Sequence, residues 1–299
     1  MLVWKGHKSK VRALAFSLDG RFLASAAGDS QFAWLWEATT GKLVRKLKGN
    51  AWPMRSVVFL PDHKHLVGLH QGQGVTVWDV DSGEVISALQ TAGWMYTETL
   101  AVSADGSRLV VFTNALFSEW DDPARPSIHP RPADRTYSNR RGYSFPFLYG
   151  FSPSGRYFWR TAVSLVLYGS DLKTEQRQLS DPDDASAAGC AFTPDESRVC
   201  VAFGHRAVVW QLDDPQEPPL KLRGHKQQVR TVGFLPGGGT VLTAAMDGTV
   251  RLWDVNTGTE QRSFDWGIGK VRVAVVSPDG MMCAAGSDEG QLVVWDVDV

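Results

Sequence analysis

Residues 224–258 read GHKQQVRTVGFLPGGGTVLTAAMDGTVRLWDVNTG, and whether they recur decides the fold. VRTVGF (229–234) and TVLTAA (240–245) are rich in β-branched residues, and LPGGG between them is a turn. MDGT turns again into VRLWDV, and after NTG comes a more polar segment, TEQRSFDW. The unit is four short strands joined by tight turns.

Trp253 has relatives along the whole chain. Trp36, Trp78, Trp120, Tyr168, Trp210, Trp253 and Trp295 are separated by 42, 42, 48, 42, 43 and 42 residues. The turns SLDG, LPDH, SADG, SPSG, TPDE, LPGG and SPDG have third positions at Asp19, Asp62, Asp105, Ser154, Asp195, Gly237 and Asp279, spaced by 43, 43, 49, 41, 42 and 42. Two unrelated markers keep one period and share one longer interval. Such a period is the signature of a stacked repeat, in which each unit buries its apolar face against the next.

With GH, SPDG, DGTVRLWD and TG in family order, the chain resembles the WD40-repeat family over its full length. The resemblance implies an all-β fold, a seven-bladed propeller forming one domain over residues 1–299, with four strands per blade and the polar fourth strand outermost. The last copy stops at QLVVWDVDV, after its third strand, while the chain begins with LVWKGH, which matches LKLRGH at 220–225. Residues 1–6 are therefore expected to supply the outer strand of the last blade and fasten the ring. The start near a natural first residue and the stop near a last one read as a complete ring, either free-standing or excised from a longer protein.

In this family a buried His, Ser/Thr, Asp and Trp tie a blade together. The resemblance assigns these roles to His225, Thr243, Asp247 and Trp253 in the sixth blade and to His7, Ser25, Asp29 and Trp36 in the first. Elsewhere the set decays: Asn50 and Gly72 replace His and Asp in the second blade, and Glu289 takes the acidic position of the last. Both histidines are thus expected to be structural. The connection of the third and fourth blades, residues 121–143, carries four prolines and five arginines and reads as an irregular edge strand plus a long loop.

The bulk numbers agree with an ordinary globular chain: 299 residues, 43% hydrophobic, 21% charged, formal net charge −1. That balance gives no pull toward nucleic acid or an anionic membrane. Cys190, Cys200 and Cys283 are too few for a disulfide framework and are expected as buried small hydrophobes, the first two on two arms of one hairpin. No signal-peptide core, apolar run of membrane-spanning length or glycan acceptor at the four asparagines is present, so a cytoplasmic protein is expected.

Several motifs invite chemistry and fail. GIGKV (267–271) lacks the glycine and hydroxyl of a phosphate loop, having Phe264 and Val271 there, and GQG (72–74) is a turn. HKH at 63–65 places two histidines on one face of a strand, too far along it from His70 to share a metal, and all three are expected at the surface. There is no nucleophile elbow. No catalytic residue, cofactor or metal is expected.

What remains is the top face, where members of the resembled family often bind peptides around the channel mouth. The residues flanking the first apolar position of each innermost strand are Lys10 and Arg12, Pro53 and Arg55, Tyr96 and Glu98, Phe145 and Phe147, Ser186 and Ala188, Gln228 and Arg230, and Lys270 and Arg272. The mouth is therefore expected to be basic on blades 6, 7, 1 and 2 and aromatic on blades 3 and 4, where Trp94 lies near, with Glu98 as its one carboxylate. A protein or peptide segment combining acidic and hydrophobic residues is the expected partner of a non-catalytic, monomeric scaffold. The alternatives are a propeller hydrolase or lyase working in the channel and the sensor domain of a longer signalling protein.

Overall fold

The computed structural model describes residues 1–28, 30–71, 74–89, 97–103, 105–113, 117–120, 131–132, 148–161, 163–171, 174–181 and 186–298, with the backbone alone at 89, 97–99, 112–113, 117–120 and 131–132. These residues form seven four-stranded antiparallel sheets. In the first blade the strands are Val11–Phe16, Phe22–Ala27, Phe32–Glu37 and Leu43–Lys48, innermost to outermost. The same order recurs around the ring: a seven-bladed β-propeller. The strand Arg131–Pro132, within the proline-rich connection, pairs with Ser118 and Glu119 as the outer strand of the third blade.

Closure follows the expected route. Leu2–Lys5 pairs antiparallel with Gln291–Asp296 in the register Leu2↔Val294 to Lys5↔Gln291, so it is the outer strand of the last blade. Trp4 sets its indole edge-on to Trp36 with ring centroids 5.5 Å apart and lies over Gly41 in the first blade.

Hairpin geometry comes from short-range hydrogen bonding. In the turn after the first innermost strand, Ser17 Oγ donates to Asp19 and accepts from the Phe22 N–H at 2.8 Å, while Gly20 takes φ 69°. Ser277, Asp279, Met282 and Gly280 repeat the arrangement in the last blade. In both turns the serine hydroxyl is the main reason the aspartate sits below its usual carboxylate range.

Among the described residues the apolar core is divided into clusters that lie between neighbouring blades. Leu35 and Leu47 of the first blade meet Met54, Leu66 and Trp78 of the second. Leu242, Val250 and Leu252 of the sixth meet Val271, Cys283 and Trp295 of the seventh. Each fully buried Leu or Met side chain stabilises by roughly 1.5–3 kcal/mol, so no blade is stable without its neighbours.

Arginines on the outer strands clasp the next blade. Arg45 donates to the carbonyls of Ser82 and Asp81 at 2.6 and 2.8 Å. Arg177 donates to Gln211 O and Leu212 O, both at 3.1 Å, and Arg262 to Val297 O and Asp298 O at 3.3 and 3.4 Å. The three stand at one register position, facing Leu35, Leu167 and Leu252. In the closing blade that position, opposite Val294, belongs to Leu2, while Trp4 faces Leu292 as Leu47 faces Ala33 in the first blade.

Candidate functional site

The buried tetrad of the sixth blade is complete. Asp247 accepts from the Lys226 N–H at 2.8 Å and from the Thr249 N–H at 3.0 Å, so His225 Nδ1, 3.0 Å away, is the donor to it. His225 Nε2 then accepts from Thr243 Oγ1 at 2.7 Å, and Thr243 accepts from Trp253 Nε1 at 2.8 Å. Burial alone would raise the Asp247 carboxyl, but the Lys226 and Thr249 hydrogen bonds and the His225 ring bring it to about 2. In the first blade His7 Nε2 and Trp36 Nε1 meet on Ser25 Oγ at 2.7 and 2.8 Å. Asp29 lies outside the described residues.

Where the set is missing, the space is filled differently. In the second blade His70 is wholly buried, with Nε2 3.1 Å from Thr76 Oγ1 and Nδ1 3.1 Å from Trp52 O, so it is not a surface histidine. His63 does not share a strand face with His65 either: it sits in the turn at φ 61°, and His65 Nδ1 pairs with Asp62 Oδ2 at 2.5 Å. The fifth blade buries an Arg206–Asp181 ion pair. In the seventh, Trp266 and Phe264 stack beside Trp295.

The top-face positions share a backbone cause. In the first blade the strand register steps from Val11↔Ala27 to Ala13↔Ala26, leaving Arg12 as a one-residue bulge. Arg55, Ala188, Arg230 and Arg272 occupy the same bulge in the second, fifth, sixth and seventh blades, and the backbone register steps over Glu98 in the third. A bulge breaks the alternation of a strand and re-aims one side chain. Here it does so at the second residue of these innermost strands. Beyond it the hairpin is closed by Gly28 N→Lys10 O, Gln71 N→Pro53 O, Met246 N→Gln228 O and Asp288 N→Lys270 O, at 2.8–3.0 Å. The side chains of Lys10, Gln228 and Lys270 are exposed.

The electrostatics of the mouth are uneven. Burial and the charge of Arg12 hold the Arg230 guanidinium below its ordinary value, and burial with Arg230 and Arg12 does the same to Arg272. Three cations are thus gathered close enough to repel. Arg272 is compensated: its Nε and one terminal nitrogen donate to the two oxygens of Asp288, the latter at 3.1 Å. Asp288 is therefore a carboxylate beside these arginines, which the sequence reading missed. Its signal was positional, one residue past a second strand. Among the described residues Arg230 finds only the Gln228 amide, at 3.2 Å, and Arg12 has no carboxylate partner. On the aromatic side, Trp94, Tyr96, Phe145 and Phe147 lie outside the described residues, as does the side chain of Glu98.

Among the described residues no three His, Cys, Asp or Glu side chains gather to hold a metal, and no helix is long and apolar enough to cross a membrane. Cys190 and Cys200 face each other's strands in one hairpin, and burial raises both thiols.

Residues 1–37, 216–254 and 262–296 match the family model of the WD domain, G-beta repeat. These three stretches are WD40 repeats, set in a seven-bladed β-propeller. It is similar to the Denticleless protein homolog of Danio rerio, 23% identical over 298 residues that cover 85% of this chain and 45% of the relative. The WD repeat-containing protein 26 homolog of Arabidopsis thaliana is 21% identical over 305 residues, 99% of this chain and 50% of the relative. An uncharacterized WD repeat-containing protein of Synechocystis is 39% identical over 62 residues, 21% of this chain and 18% of that protein. The propeller spans about half the length of the first two relatives.

Proposed function

We propose that this propeller is a non-catalytic protein-interaction scaffold whose top face takes a partner segment carrying carboxylates together with apolar side chains. The observation that carries the reading is the bulge that turns Arg230, Arg272, Arg12 and Arg55 out of four contiguous innermost strands. Lys10 and Lys270 stand beside them, exposed. Arginine forks match carboxylate geometry, and a rigid frame loses little conformational entropy when a partner docks. The aromatic residues Trp94, Tyr96, Phe145 and Phe147 would anchor the apolar part of the segment.

Affinity capture from the source cytosol tests this, comparing wild type with Arg12→Glu/Arg230→Glu at matched thermal stability. Arg272 is left alone because its charge is already met by Asp288. A protein held by wild type and lost from the folded variant is the expected result. Equal capture by both would move the site away from the arginine mouth.

A further inference from the structure

The three bulges of the last, first and sixth blades differ in one position. In the last blade the residue that closes the hairpin is Asp288, and its carboxylate takes the Arg272 guanidinium on two nitrogens. The same hydrogen bond to the residue before the innermost strand is made by Gly28 in the first blade and Met246 in the sixth. Gly28 faces its own bulged arginine, since a Cβ there would lie 2.9 Å from Arg12 Nε, and Met246 holds the same backbone position in the sixth blade, where Arg230 is the bulge. The chain thus displays once, with its own carboxylate, how a bulge arginine at this mouth binds an oxyanion. Twice it leaves that place without an acid.

Resting on the top-face reading above, we propose that the mouth binds one oxyanion, carboxylate or phosphate, shared by Arg12 and Arg230, while Asp288 keeps Arg272 out of the site. A guanidinium offers five N–H donors, and the Gln228 amide uses one of Arg230's. Arg230 is half-buried and Arg12 exposed, so one is positioned by its surroundings and the other is reachable. Drawing like charges together is unfavourable until an anion sits between them. Asp288 then has a definite part: it limits the site to two arginines.

The test titrates inorganic phosphate and, separately, a glutamate hexapeptide into the whole chain at low salt, following the arginine Nε–H signals by NMR. Met246→Asp places beside Arg230 the acid that Asp288 is for Arg272, and Met246→Asn is its uncharged control. The expected result is binding of at least one probe, weakened about tenfold by Met246→Asp and by Arg12→Gln, and unchanged by Met246→Asn. Asp288→Asn, which frees a third arginine, is expected to tighten binding several-fold. Response to phosphate alone assigns a phosphoryl group, and response to the hexapeptide alone assigns a side-chain carboxylate. No binding of either probe by wild type, or equal binding by Met246→Asp, overturns the proposal. If a captured partner is held equally by wild type and Met246→Asp, the scaffold stands and the shared oxyanion does not. If anions bind but capture is indifferent to Arg12→Glu/Arg230→Glu, the oxyanion site stands and the partner site lies elsewhere.

Discussion

The imidazole of His70 lies so close to Gly49 that no Cβ fits between them. In the first and sixth blades a glycine is followed by the histidine that bonds Ser25 or Thr243. In the second blade Asn50 follows Gly49, and the ring arrives instead from the end of the strand His65–His70. The space is conserved in shape and supplied from another strand.

Gly49→Ala should therefore expel or tilt His70 and lower stability by about 1–3 kcal/mol, the ordinary range for overpacking. His70→Ala in the same background should recover part of the loss, since it removes the group in collision. Urea unfolding of the two single variants and the double variant measures this. Strict additivity would show that the two residues do not share the space.

Thr243 is the middle link of a chain from Trp253 through His225 to Asp247. Thr243→Val keeps the shape and leaves both the indole N–H and an imidazole nitrogen unpartnered. The expected cost is about 2–6 kcal/mol in urea unfolding, because each of the two buried orphans costs roughly 1–3.

Stability should fall with acid in two stages. His70 and His225 are both held below their ordinary value of 6.5, chiefly by burial. The unfolded chain then takes up protons there that the fold does not, so stability drops as pH falls through about 6.5 toward the depressed values. Asp247, Asp105 and Asp195 are lowered from 3.8 to about 2, so their contribution is present above 3.8 and is lost as pH falls from there to about 2. Melting temperatures at pH 7.5, 5.5 and 3 should decline in that order, and His70→Gln should flatten the first step.

Trp4 closes the seam by setting its indole edge-on to Trp36 of the first blade. Trp4→Ala is expected to cost about 3 kcal/mol. Removing residues 1–5 should do more, since it bares the hydrogen-bonding edge of Gln291–Asp296 and invites pairing with another chain. Size-exclusion chromatography over a concentration series would show association of the truncated chain and not of Trp4→Ala.

The ring, its period and its closing strand were legible because their signals are local: a tryptophan, a turn and a matched segment at each end. The tetrad of blade 6 and the His7, Ser25 and Trp36 part of that of blade 1 were legible for the same reason. His70 was not, because its ring fills a space defined by residues of another strand, and sequence spacing along its own strand says nothing about that space. The positions of Arg12, Arg230 and Arg272 could be aligned, yet the reason they leave the strand face is a register slip visible only when both strands of a hairpin are laid side by side. Asp288 was missed because its equivalents, Gly28 and Met246, share its backbone hydrogen bond and none of its chemistry.

The pairing of Leu2–Lys5 with Gln291–Asp296 also sets a timetable. During synthesis Leu2–Lys5 is made before the other strands of the ring yet is among the last to find its partner, and it must wait while the intervening blades are made. Contacts of such long sequence separation form slowly. Until then the chain is an open arc with an unpaired edge at its growing end. A permuted gene that begins in the turn after Val80 and joins the present ends through a short linker would make this seam a local hairpin. Its refolding should be faster for that blade, with the same finished ring.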